Sequence, residues 1–133
     1  MASGIYNRFK ANLMNKVVDL EADTIKCALY DDSHAFTVTD HTYTTTNELA
    51  TAGGYTQGGA TLNTKTVTEG ATTKWDAADV SWSAATFTAY HAVLYDNTAA
   101  DSLICSFDFG GAKAVSSGTF SIVWDAAGII TLA

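Results

Sequence analysis

The sequence predicts a mainly β domain: an antiparallel β-sandwich or partly closed barrel carrying one N-terminal amphipathic helix. Three observations lead there. Threonine is abundant throughout, and its branched Cβ suits a pleated strand better than a helix. Apolar and polar residues alternate along several runs, most clearly between Thr86 and Gly110. Between those runs stand Gly, Asn and Asp with no proline anywhere, which favours short hairpin turns and removes prolyl isomerisation as a slow folding step.

The helix is expected within residues 1–21. Ile5, Phe9, Leu13 and Val17, joined by Tyr6, Met14, Val18 and Leu20, recur at spacings of three and four, so they share one stripe that needs a packing partner. Ser3 is its candidate N-cap. Lys16 suits its last turns, whereas Asp19 and Glu21 stand at the wrong end of the helix dipole. A strand follows over 24–30, where Ile25, Cys27 and Leu29 alternate with more polar positions.

Residues 31–59 form a long polar loop region, punctuated by glycine and carrying three isolated aromatic residues, Phe36, Tyr43 and Tyr55. Residues 60–133 make the β core. Strands are expected at 60–68, around Lys74 and Trp75 after a turn at Glu69 and Gly70, and at 80–82. A central hairpin follows, then strands at 118–124 and 128–132. In that hairpin Phe87, Ala89, His91, Val93 and Tyr95 fall on one face and Thr88, Tyr90, Ala92 and Leu94 on the other. In its second arm Leu103, Cys105, Phe107 and Phe109 oppose Ile104, Ser106 and Asp108. Strands this apolar on both faces belong in the middle of a sheet with a cover on each side.

A chain of 133 residues is expected to be one domain that buries about two thirds of its unfolded surface without a metal or disulfide. Its formal charge of −7 and the lack of a basic cluster argue against direct nucleic-acid binding. Cys27 and Cys105 are widely separated and read as buried free thiols. No run of about 18 apolar residues is present, so neither a signal peptide nor a membrane span is expected, and a reducing cytosol is the expected place of synthesis.

The short motifs weigh against catalysis. Gly53-Gly54 and Gly58-Gly59 lack the Lys-Ser/Thr pair of a phosphate loop and read as turn glycines. Asp108-Phe109-Gly110 has the letters of a kinase metal motif without its companions and reads as a strand end. Trp75-Asp76 and Trp124-Asp125 echo one another too few times for a propeller; each Trp should close a strand on the core and each Asp open a turn. His34 and His41 with Asp31, Asp32 and Asp40 fit no recognised ligand spacing. His91 reads as a hydrogen-bonded core histidine. No catalytic, cofactor-binding or metal residues are therefore assigned, and no cofactor is expected. Aromatics standing alone in a loop commonly anchor interfaces, which makes Phe36, Tyr43 and Tyr55 the candidate partner-interface residues.

The order of short motifs along nearly the whole chain resembles a family of small virion structural proteins of tailed bacteriophages. The pattern runs through Asp19-Leu20, Asp23-Thr24-Ile25-Lys26, Ala28-Leu29-Tyr30, Gly54-Tyr55, Gly58-Gly59, Thr61-Leu62, Trp75, Ala78-Asp79-Val80 and Trp82. It continues through Ala85-Thr86, Ala92-Val93-Leu94-Tyr95, Asp108-Phe109-Gly110, Gly118-Thr119-Phe120, Ile122, Trp124 and Ala127-Gly128-Ile129. The segment 31–47 lies outside it. The resemblance implies a non-enzymatic capsid decoration (cement) protein, made in the bacterial host cytoplasm and located in the virion. Its expected partners are the phage major capsid protein and further copies of itself, as a homotrimer. A tail or head-to-tail connector component is one alternative. Another, from the loop residues themselves, is a small-ligand or sugar-binding module using Tyr43 and Tyr55.

Overall fold

A computed structural model describes residues 3–133. The chain is mainly β, with 47% strand and 6% helix. Its elements in order are β1 (Gly4–Ile5), α1 (Asn7–Met14), β2 (Ile25–Tyr30), β3 (Ala60–Thr61) and β4 (Thr66–Thr68). They are followed by β5 (Thr73–Asp76), β6 (Val80–Asp96), β7 (Ser102–Ile122) and β8 (Ile130–Leu132). A five-stranded antiparallel sheet has the order β1-β7-β6-β2-β3, and a three-stranded one the order β4-β5-β8. Neither closes into a barrel.

The main core lies on one face of the larger sheet. Ile25, Cys27 and Leu29 of β2, Ala92 and Leu94 of β6, and Ile104 and Cys105 of β7 meet Trp75 and Ile130 of the smaller sheet and Phe9 of the helix. The opposite face carries Ala28, Tyr30, Val93, Tyr95 and Leu103, which pack with Tyr6, and against them lie Phe36 and Tyr43. The sheet is thus apolar and covered on both sides, as the central hairpin requires.

The hairpin is longer than its alternation suggests. Its strands absorb the segments expected as separate strands at 80–82 and, up to Ile122, at 118–124. Asp108-Phe109-Gly110 is accordingly not a strand end. Four residues, Phe109 to Ala112, stand opposite Tyr90 alone, since His91 pairs with Asp108 and Ala89 with Lys113. Gly110 and Gly111, at φ of 78° and 146°, make that bulge possible, and the Gly110 N–H donates to Asp108 Oδ1 at 2.8 Å. This bulge and a second irregularity between Leu94 and Tyr95 also change the faces: Ala89 joins Ala92 in the main core, and Cys105 joins Ile104.

The helix is shorter than its apolar stripe. It runs over eight residues, its N-cap is Tyr6 without a side-chain bond, and Ile5 belongs to a strand. Ser3 does not cap it; the Ser3 hydroxyl accepts the Asp108 N–H at 2.8 Å. Phe9 is 2% exposed, yet Met14 is 90% exposed. The helix ends because Lys16 takes a φ of 60°, a conformation that breaks the helical repeat and separates Val17 from the stripe. The expected strand at 60–68 is likewise divided, as Thr64 adopts φ 55° between β3 and β4.

Both motif tryptophans pack on the core, but only Asp125 opens a turn; Asp76 is the last residue of β5, paired with Thr66. Trp75 is buried in β5 and its Nε1–H donates to Leu20 O at 3.0 Å. Trp124 follows β7 and donates to Ala78 O at 3.1 Å, while Asp125 Oδ1 accepts the Ala127 N–H to open the last turn. Cys27 and Cys105 are buried free thiols, and burial pushes the Cys27 thiol up to about 12.

At the hairpin's tight end, Asp96 is fully buried with Oδ1 accepting the Ala99 N–H at 2.9 Å. Asp96 Oδ2 has no hydrogen-bond partner; burial first, and the neighbouring Asp23 carboxyl second, push Asp96 up to about 7. Two neighbouring carboxyls, one of them buried, resist ionising together. A folded value raised above the unfolded 3.8 means stability that is full below about pH 4 and lost as pH rises towards 7. Asp96→Asn should supply the missing donor permanently. Thermal melts across pH 4–8 are expected to show a falling stability in the parent, a flatter profile in the variant and a higher Tm for the variant at pH 8.

Phe9→Ala should destabilise by about 3–5 kcal/mol, since it empties a buried ring site where helix and both sheets meet. Urea denaturation of the two proteins measures this directly.

Candidate partner interface

The sequence-selected aromatics all lie in the segment between β2 and β3, and that segment is bound to the edge of β2. Asp31 N–H donates to Asn47 O at 2.9 Å and Leu49 N–H to Leu29 O at 3.0 Å, with a bridge pairing Tyr30 and Glu48. Farther on, Gly53 and Gly59 allow close backbone approach. A Cβ on Gly53 would stand 2.1 Å from Thr86 O, and one on Gly59 2.0 Å from Cys27 O. Both have positive φ, so glycine is required there on two grounds.

One carboxylate organises the segment. Glu48 is 7% exposed; its Oε1 accepts the Tyr43 hydroxyl and its Oε2 the Tyr55 hydroxyl. Oε2 also accepts the Gly58 N–H at 2.7 Å. A buried carboxylate needs several donors to replace its lost water, and these three supply them. The Tyr55 hydroxyl in turn accepts the Leu29 N–H at 3.0 Å. Tyr95 donates to Gly58 O at 2.5 Å and stacks on Tyr43 with centroids 4.2 Å apart. Tyr30 donates to Thr44 O at 2.6 Å. Burial is the first cause, and Glu48 a further one, raising the Tyr30, Tyr43 and Tyr55 phenols.

The three aromatics therefore differ in what they offer a partner. Tyr55 is 2% exposed and its hydroxyl is already shared between Glu48 and Leu29; within this chain it is a core residue, and its place in an interface is corrected accordingly. The flanking glycines fold it inwards. Tyr43 is half-buried, with its hydroxyl on Glu48 and one ring face on Tyr95. Phe36 is also half-buried, edge-on to Tyr6 at 4.8 Å, where it occupies the space a Cβ on Gly4 would need. Around them Thr37 to Thr42 and Thr44 to Thr46 are exposed. The segment thus presents a polar, threonine-rich outer surface with the remaining faces of Phe36 and Tyr43 set into it.

Beneath it lies a polar pocket of about 330 Å³ whose walls include Tyr6, Tyr30, His34 and Asp40. His34 Nε2 is 3.2 Å from Ser106 Oγ, and its ring meets that of His91 edge-on at 5.0 Å. Burial first, and His91 second, lower the His34 pKa. Ser106 is 1% exposed, so this hydroxyl and imidazole pair fixes the segment to the sheet and offers no open nucleophile. His91 is in the core as expected, but its Nδ1 has no hydrogen-bond partner and lies 3.9 Å from Asp108 Oδ1. Among the described residues no three His, Cys, Asp or Glu side chains converge as a metal site, and no helix is long and apolar enough to cross a membrane.

Sequence reasoning passed over Glu48. A single carboxylate in a threonine-rich loop looks solvated; that it is not follows from the Tyr43 and Tyr55 hydroxyls and the Gly58 N–H converging on it, which only the folded segment brings together. Glu48→Ala would leave three donors without their acceptor, and each buried unsatisfied group costs about 1–3 kcal/mol. The expected loss is about 3 kcal/mol or more by chemical denaturation, with hydrogen exchange in residues 31–59 accelerating more than in β6 and β7.

Comparison of the chain with protein-family models, with curated proteins and with solved structures found no match.

Proposed function

We propose that the protein is a non-catalytic virion component of a tailed bacteriophage, a capsid decoration protein that binds the outside of an assembled head and holds neighbouring capsid subunits together. The family resemblance of its ordered motifs supports the virion assignment. The observation that carries the interface is the Glu48 anchor: a long polar segment held rigidly against the sheet, with part of Phe36 and Tyr43 facing outwards. A rigid segment loses little conformational entropy when it docks, so its contacts convert efficiently into affinity. The charge of −7 is compatible with a place outside a DNA-filled shell and away from the nucleic acid itself.

In this reading the capsid contact is made by Phe36, Tyr43 and the exposed threonines around them, while Tyr55 acts from inside by holding Glu48. Decoration proteins of this kind work as small closed oligomers, here a trimer, in hundreds of copies per particle.

The decisive experiment is a quantitative gel of purified particles combined with electron microscopy of the shell; a copy number of a few, or density confined to the tail, would refute the assignment. Tyr43→Phe should separate binding from folding, since it keeps the stacked ring and deletes the hydroxyl. Phe36→Ala removes a half-buried ring and is expected to weaken binding to heads lacking the protein by roughly tenfold or more, as truncation of an interface anchor does. Melting curves of the same preparations check that the domain is still folded.

A further inference from the structure

Residues 31–59, which carry the capsid contact in the reading above, contain four carboxylates, Asp31, Asp32, Asp40 and Glu48, and no lysine or arginine. Glu48 is consumed by its three donors, and Asp31 Oδ1 accepts the Ser33 N–H at 2.8 Å. Asp32 and Asp40 are exposed, and neither side chain has a hydrogen bond or ion pair among the described residues. Asp40 is distinguished by its place: it stands in the wall of the polar pocket of about 330 Å³.

The make-up of that pocket indicates what fills it. Tyr6, Tyr30, Val93 and Leu103, all buried, close its bottom. Its rim carries Thr42, Thr44 and Thr46, whose hydroxyls make no hydrogen bond among the described residues. Two imidazoles, of His34 and His41, also line it, and burial with His91 beside it keeps His34 uncharged at neutral pH. The walls therefore hold one carboxylate, several hydroxyl acceptors and no lysine or arginine. An anion would be repelled by Asp40, and an apolar side chain would strand the carboxylate and the hydroxyls away from water. A cation with several donors satisfies all of them. An ammonium is a compact and strongly hydrated charge, whereas a guanidinium is weakly hydrated and offers five N–H donors in one plane. Two of these can pair with a carboxylate while the others reach hydroxyls to the side.

We propose that this pocket receives an arginine side chain of the partner protein, its guanidinium paired with the Asp40 carboxylate and bonded to the threonine hydroxyls of the rim. The inference rests on the virion reading for the identity of that partner, the major capsid protein, and adds the chemistry of the contact, an arginine projecting from the capsid surface. Phe36 packs on Tyr6 of the pocket wall and Tyr43 stands between Thr42 and Thr44, so both half-buried rings border the pocket. Docked rings at that border exclude water from the ion pair, as the surroundings of a central interface arginine do.

The test has two arms. In the first, the full chain is titrated with Nα-acetylarginine amide and followed by backbone amide NMR shifts. Nα-acetylcitrulline amide, of the same shape without the charge, and Nα-acetyllysine amide are the comparison probes. Saturating shifts confined to residues 33–47 are expected for the arginine probe, with affinity lower by at least about tenfold for the other two probes and for Asp40→Asn. Asp32→Asn, at the other unpaired carboxylate of the segment, should bind like the parent. Both positions are exposed, so folding is expected to persist, and circular dichroism checks it. No saturable shift, shifts spread over the surface, equal binding of the lysine probe, or an Asp40→Asn variant that binds like the parent would each overturn the pocket assignment. In the second arm, heads lacking the protein are coated with the parent and with Asp40→Asn. The variant is expected to lose at least about tenfold in affinity, and the arginine probe to compete with the parent. Equal coating by the variant overturns the arginine contact alone. A parent that binds the arginine probe but does not coat heads refutes the virion reading and leaves the chemistry of the pocket standing.

Discussion

A strand pair that is apolar on both faces is stable in water only between two covers, and the architecture follows from meeting that demand at β6 and β7. On one side the demand is met conventionally, by Phe9 from the helix and by Trp75 and Ile130 from the smaller sheet. On the other it is met by chain with almost no regular structure of its own. Such a segment brings few apolar side chains and many polar backbone groups, and the latter must be satisfied wherever water is excluded. Tyrosine resolves the conflict, because its ring covers apolar surface while its hydroxyl reaches a polar partner. Tyr30, Tyr43 and Tyr95 act in this way on that face and Tyr55 in the main core, and three of the four hydroxyls end on Glu48 or on the Gly58 peptide.

Removing one partner from such a network leaves the others stranded, so it behaves as a unit. The Glu48 cluster joins β2, β6 and the covering segment through Leu29, Tyr95 and Tyr43. The segment then has two sides: a fixed inner one with its polar groups consumed internally, and an outer one of exposed threonines. Low charge density combined with many hydroxyls gives a surface able to form hydrogen bonds without paying heavily to desolvate ions.

How far the architecture could be read from the residues depended on whether local pattern or distant contact decided each element. β2 was legible because Ile25, Cys27 and Leu29 alternate within six residues, and the central hairpin because two long runs flank Asn97 and Asp101. The turn after Trp124 was legible from the Asp that follows it, whereas Asp76 stays in β5 because Thr66 pairs with it. The helix was overextended, since Ile5, Phe9, Leu13 and Val17 satisfy its period although β1 takes the first by pairing with β7 and the φ of Lys16 excludes the last. Bulges at Tyr90 and Ile104 were invisible because alternation carries no mark of an inserted residue, and each moved later side chains to the opposite face. In the candidate interface the isolated aromatics were conspicuous as residues, but which of them pointed inwards was decided by Glu48, a long-range partner with no local signature.

The first strand is tied to the sheet across most of the chain. Gly4 pairs with Ser106 and Ile5 with Cys105, and Ser3 is bonded to Asp108 across a separation of 105 residues. β1 precedes its pairing partner by about a hundred residues, so β1 cannot pair until β7 has been made. The β6 and β7 arms, by contrast, can zip from their own tight turn as soon as they emerge. Non-local closure of this kind is slow relative to local pairing. Docking of β1 therefore closes a far longer loop than the β6–β7 turn does, and it needs the finished edge of that hairpin as its template.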